Sequence, residues 1–241
     1  MLLFTLPLFA VALIYGTAAL LPAIYLMKYI YRKDTVEKEP SMLLMSLLIY
    51  GVIAALISIA LEGIGTKILN SLMDQSSVGY TLVLAFVVVA MVEEGAKFAM
   101  LKWRTWREVN FNYRFDGIVY AVFISLGFAA FENIGYVLGY GLSVAPARAL
   151  LAVPGHMCFG VFMGTFYGRA KQCQVWGDKS EERANLWLGY IVAVLLHGFY
   201  DSCAMINTVA SSIIFIAFVV IMYIVVIKKV NKESQNDGPI I

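Results

Sequence analysis

The sequence predicts an all-α fold, a polytopic integral membrane bundle of about seven transmembrane helices. Hydrophobic residues fill 61% of the 241 positions and charged residues only 14%, and mean hydropathy is +0.80. The apolar runs approach the ~20 residues that cross a bilayer as a helix. They do not alternate in polarity, as barrel strands would.

Spans are expected at about 5–27, 41–61, 80–101, 116–138, 149–168, 186–206 and 210–227. Basic residues set the orientation. Lys28, Arg32, Lys33 and Lys38 follow the first span, and Lys102, Arg104, Arg107 and Arg114 follow the third. Arg169, Lys171, Lys179 and Arg183 follow the fifth, and Lys228, Lys229 and Lys232 the seventh. The opposite side has only Lys67 and Arg148. The positive-inside rule therefore puts the N-terminus outside and the C-terminus in the cytoplasm. The first span lacks a basic n-region and an A-x-A-like cleavage site, so it is not read as a removed signal peptide.

Short linkers and the lack of a clear repeat predict a single membrane-embedded domain over 1–229. Residues 230–241 are expected to form a short polar cytoplasmic tail that frays. The net charge of +2 reflects topology, with no basic run suited to nucleic acid. Cys158, Cys173 and Cys203 are too few and too scattered for a disulfide framework or C-x-x-C metal spacing.

Glu93 and Glu94 lie side by side within the third apolar run, with Lys97 one turn on. A carboxylate in hydrocarbon costs roughly 2.5–3.5 kcal/mol or more, so intramembrane charges are functional candidates by default. Span four brings Glu132 and span five His156. Span six brings His197 and Asp201, and the chain has no other histidines.

Helix geometry tests whether these groups meet. His197 lies roughly 18 Å from Asn185 at the inner boundary and His156 about 12 Å from Arg148 at the outer one. Both therefore fall near the midplane of a ~30 Å core. The glutamates are more spread, Glu93 about 13 Å above Lys102 and Glu132 about 27 Å above Arg114. His197 and Asp201 share a helix face, as do Glu93 and Lys97, whereas Glu94 points about 100° away and needs another partner.

His156, Gly160, Gly164 and Gly168 form a small-residue stripe, which turns the histidine toward a closely packed neighbour. Phe131, Gly135 and Gly139 make a similar stripe beside Glu132. Pro154-Gly155 should loosen the helix at His156. Arg148 and Asp116, at span ends, read as interface anchors. Each polar group alone has an ordinary structural reading. Lys97 in particular reads as a salt-bridge partner. The joint occurrence of Glu93, Glu94, His156, His197 and Asp201 is hard to explain as structure.

Such a set suits peptide hydrolysis, which needs activated water, a proton donor and oxyanion stabilisation. Either a glutamate and a histidine activate water directly, or His156, His197 and Glu94 hold Zn²⁺. H-E-x-x-H and G-x-S-x-G are both absent. A proton-coupled transporter using the same groups as a relay is an alternative, although no inverted repeat is visible. A non-catalytic protein that binds a membrane partner is another.

Glu93-Glu94-Gly-Ala-Lys97, Phe131-Glu132-Asn-Ile-Gly-Tyr136, the isolated His156 and His197-Gly-Phe-Tyr-Asp201 resemble the motifs of the PrsW intramembrane proteases. Phe115-Asp116-Gly117-Ile118-Val119-Tyr120, Ser125-Leu126-Gly127-Phe128 and Glu39-Pro40 are also similar to that family, so the resemblance covers roughly 15–205. It implies site-1 cleavage of a single-span, membrane-anchored anti-sigma factor, leading to release of a stress-response sigma factor. It implies essential roles for Glu93, Glu94 and His197, with His156 and Asp201 completing the site and Lys97, Glu132 and Tyr136 supporting it.

Overall fold

The computed structural model describes residues 7–240, so positions 5 and 6 of the expected first span and position 241 of the tail lie outside it. Among the described residues the chain forms helical rods and no strand. They are α1 (Leu8–Lys33) and α2 (Ser41–Leu72), then a rod made of α3 (Val78–Val83), a π-helical segment (Leu84–Ala90) and α4 (Met91–Thr105). After α5 (Asp116–Tyr140), a 3-10 turn (Leu142–Val144), α6 (Ala145–Ala147), a second π-helical segment (Arg148–Ala152) and α7 (Val153–Val175) follow one another. The last two are α8 (Lys179–Ile206) and α9 (Val209–Gln235).

Six rods are long and apolar enough to cross a membrane. The remaining one, 78–105, is divided by its π-helical segment and carries Glu93, Glu94 and Lys97. The expected multi-pass bundle is thus observed, with longer elements than hydropathy suggested. The second helix, expected to end at 61, continues to Leu72.

Local chemistry sets the boundaries. Ser77 Oγ accepts from Tyr80 N at the start of α3, and Asp178 accepts from Ser180 N and Glu181 N at the start of α8. Such caps satisfy amides that have no partner within the helix. Asn207 ends α8 in the left-handed conformation, φ 49°, and Thr208 and Ser211 then form a reciprocal capping box for α9.

α5 is the central helix, with every residue from Asp116 to Ala129 buried. α1, α2, α4 and α7 pack around it, and α8 covers α7 and the first π-helical segment. Glycine makes the closest approach possible. A Cβ on Gly117 would lie 2.7 Å from the Gly164 carbonyl oxygen. The Gly160, Gly164 and Gly168 face of α7 therefore packs on α5, as the stripe predicted. The second predicted stripe is different. Added Cβ atoms on Gly135 and Gly139 would meet nothing within 4 Å, so that face is open.

The basic ends of the rods gather on one face. Glu233 of α9 pairs with Arg114 at 3.4 Å, Arg169 at 3.5 Å and Lys229 at 3.8 Å. The tail does not fray there. Ile240 is buried, and its N–H donates to Asn112 O at 2.8 Å. Asp237 Oδ1 accepts from Phe115 N at 2.9 Å. Asp116 also acts within this assembly, its Oδ2 accepting from Asn112 N at 3.0 Å and Tyr113 N at 2.7 Å.

Candidate active site

The first π-helical segment delivers Glu93 and Glu94 into the first turn of α4, and both are buried, as is Lys97. Lys97 Nζ lies 2.8 Å from Glu94 Oε1, 3.0 Å from Glu93 Oε2 and 3.1 Å from His156 Nδ1. Three ammonium protons thus meet three acceptors, above the Phe128 ring at 3.9 Å. Glu94 was expected to point away from Glu93 and to need a different partner, and it has one in His197. The long lysine side chain nevertheless reaches both carboxylates.

An ammonium has no lone pair, so the Lys97 contact makes His156 Nδ1 the acceptor and leaves the imidazole proton on Nε2. His156 Nε2 then donates to Glu132 Oε2 at 3.1 Å. That same oxygen accepts from Arg148 Nη2 at 2.8 Å, while Arg148 Nε donates to Asn133 Oδ1 at 2.8 Å. The Arg148 guanidinium lies over the Tyr136 ring, 3.8 Å from its centroid.

On the other flank, His197 Nδ1 lies 2.9 Å from Glu94 Oε1 and its Nε2 3.3 Å from Asp201 Oδ2. The Phe159 ring is stacked on His197 at 4.8 Å. One continuous polar chain therefore runs Arg148–Glu132–His156–Lys97–Glu94–His197–Asp201, drawn from four rods. Its ends are the more open part, with side-chain exposures of 25% for Glu132 and 17% for Asp201 against 0% for Glu94. Glu94 Oε2 stands apart, being buried with no hydrogen-bond partner.

The residues singled out in the sequence thus meet, despite the spread in depth expected for the glutamates. Two others were missed. Arg148, read as an interface anchor, belongs to the cluster because the second π-helical segment turns it inward. Glu62, just beyond the expected end of span two, lies close enough to Glu93, Glu132, Lys97 and His197 to interact with them electrostatically. Its only sequence signal was a charge in a run that stays apolar on both sides.

Ligand atoms of Glu93, Glu94 and His156 all lie within 4.8 Å of one another and could hold a metal ion. Two carboxylates and an imidazole are donors that suit a divalent cation. His197, expected in this set, is not part of it, although its Nδ1 lies 2.9 Å from Glu94 Oε1 and 3.9 Å from Glu93 Oε2. The donors fit a metal in kind and proximity, but all three bond the Lys97 ammonium, which a metal would have to displace.

The model of the PrsW family intramembrane metalloproteases matches residues 39–227, a range that contains every member of this polar chain. The chain belongs to that family. A protein named Protease PrsW from Clostridioides difficile (strain 630) is 32% identical over 222 residues, 90% of each chain. One of the same name from Halalkalibacterium halodurans is 29% identical over 221 residues, covering 92% of this chain and 97% of its own. Another from Bacillus subtilis (strain 168) is 32% identical over 185 residues, covering 77% and 80%. No solved structure matches. PrsW membership and the membrane-spanning rods make this a multi-pass membrane protein of a protease family.

Proposed function

We propose that this PrsW-family protein makes the first cut in a single-span, membrane-anchored anti-sigma factor, leading to release of a stress-response sigma factor. The observation that carries the proteolytic reading is Glu94 Oε2, a buried carboxylate oxygen left without a partner. A buried acceptor left unpaired costs roughly 1–3 kcal/mol, and a water bound there would satisfy it. The anti-sigma substrate rests on the resemblance of the motifs.

In this reading Glu94 Oε2 takes a proton from water as the oxygen attacks the scissile carbonyl carbon. Glu93 is the neighbouring carboxylate, at the slightly exposed edge of the pair. Lys97 holds both in place, and His156, fixed by Glu132, completes the wall of the site. His197 Nε2 makes the longest contact in the chain, 3.3 Å to Asp201; as an imidazolium, protonated on both nitrogens between the two carboxylates, it turns from Asp201 to donate to the developing oxyanion. The proton on Glu94 passes to the leaving amine. Should the family's metal bind, Glu93, Glu94 and His156 would hold it, with Zn²⁺ suited to such donors, and it would acidify a bound water.

Co-expression with tagged single-span anti-sigma factors tests the reading. Wild type is expected to shorten one of them, and Glu94→Gln at equal membrane abundance is expected to leave it whole. Equal shortening by both proteins would remove the assignment of Glu94. A full panel of such factors left intact by wild type would remove the substrate class.

A further inference from the structure

Pro154 leaves a gap in the rod that carries His156. Proline has no backbone N–H, so the carbonyl four residues earlier, that of Leu150, loses its usual helical donor. The preceding segment, Arg148–Ala152, is π-helical and closes with Val153 N–H on Arg148 O. Within its own rod only the Gly155 N–H, five residues on in π register, could serve Leu150 O. In a bilayer such a group must find its partner within the protein.

The partner comes from α9. Tyr223 Oη donates to Leu150 O at 2.7 Å and lies 3.1 Å from Leu151 O. Between Ile213 and Ile227, Tyr223 is the only residue able to donate a side-chain hydrogen bond. The single polar group on the hydrocarbon-facing stretch of α9 thus meets the single proline-made gap in the neighbouring rod.

The gap lies between two residues that must agree in position. Arg148 opens the π-helical segment and His156 follows Pro154 by two residues, yet both bond the same Glu132 oxygen, at 2.8 and 3.1 Å. Any rewinding between them would move one relative to the other. π-Helical turns often sit at functional sites, and they persist where outside contacts hold them.

We propose that Tyr223 is a positioning residue for His156. Its hydroxyl replaces the N–H that Pro154 lacks, and so fixes the winding that brings Arg148 and the His156 imidazole onto Glu132. The catalytic consequence rests on the protease reading above, whereas the backbone consequence does not.

Two measurements in nanodiscs separate these consequences. The first is amide hydrogen exchange across 151–157 in wild type, Tyr223→Phe, Pro154→Ala and the double variant. Tyr223→Phe is expected to speed exchange roughly five-fold, about the worth of one net hydrogen bond. In the Pro154→Ala background an alanine N–H serves Leu150 O, and Tyr223→Phe is expected to change exchange less than about two-fold. An equal effect in both backgrounds, or none in either, would overturn the proposal.

The second is the kinetics of the cleaved substrate. A misplacement approaching 1 Å predicts that Tyr223→Phe lowers kcat about ten-fold or more, with KM little changed. A raised KM with wild-type kcat would assign Tyr223 to substrate docking and overturn the positioning role. If wild type cleaves nothing, the protease reading fails, and the exchange pattern still decides whether Tyr223 fills the gap.

Discussion

Lys97 Nζ and His156 Nδ1 lie 3.1 Å apart, joining two rods that the chain separates by 59 residues. The contact fixes the imidazole tautomer and places a cation among the three donors best suited to a metal. A divalent ion ~3 Å from that ammonium would be repelled by roughly 10 kcal/mol at an effective dielectric of ~20. Lys97→Met is therefore expected to lose cleavage, because two adjacent carboxylates lose their shared partner, and yet to bind Co²⁺ more tightly than wild type. Visible spectroscopy during titration checks this. Equal affinity in the two proteins would mean that metal binds elsewhere or that Lys97 does not occupy the site.

Arg148 holds Glu132, which in turn holds His156. Arg148→Gln should lower cleavage by about ten- to a hundred-fold through loss of alignment. Added guanidinium should recover part of the rate, since Arg148 is partly accessible, with 13% side-chain exposure. Unchanged cleavage by the variant would return Arg148 to the role of interface anchor.

Gly164→Leu should damage both folding and activity. A Cβ there already falls inside contact distance of the Gly117 carbonyl oxygen on α5, so a leucine must force α5 and α7 apart. At matched membrane abundance, cleavage is expected to fall about a hundred-fold. Cleavage within a few-fold of wild type would contradict this packing.

The basic face should respond to pH. Burial pushes Asp34 up to about 6 despite nearby Lys38, and pushes Glu39 up to about 7 despite its bond from Tyr120. Asp237 and Glu37 add negative charge around them, whereas a hydrogen bond with Asp116 acts on Glu39 in the lowering direction. Raised carboxyl values mean that the folded face holds protons the unfolded chain would release. The associated stability is complete below the ordinary carboxylate range and is lost as pH rises through about 6 to 7. Amide exchange of 34–40 and 236–240, corrected for intrinsic rates, should therefore be slower at pH 5.5 than at pH 8. Asp34→Asn should flatten the difference. A face that tightens with rising pH would contradict the sign.

What the sequence revealed follows from the cost of charge in hydrocarbon. Glu93, Glu94, Lys97, Glu132, His156, His197 and Asp201 stood out because nothing apolar explains them. Arg148 and Glu62 were lost at the edges of hydropathy windows, where a charge reads as interfacial. Neither π-helical segment has a periodicity that composition displays, so the 3.1 Å approach of Glu132 to His156 could not be foreseen. The tail was read as frayed because its hold on 112–115 is largely through the backbone, to which side-chain pattern is blind. The Gly135 and Gly139 stripe shows the converse error, since spacing identifies a smooth face without saying what covers it.

The central claim is that the polar chain through Glu94 hydrolyses a peptide bond within a membrane-anchored substrate. The most direct measurement mixes purified wild type or Glu94→Gln with a purified single-span anti-sigma factor in liposomes and maps any cut by mass spectrometry. The account predicts one cut by wild type, on the side of the bilayer away from the basic loops, and none by Glu94→Gln at equal incorporation. An identical cut made by Glu94→Gln would contradict it.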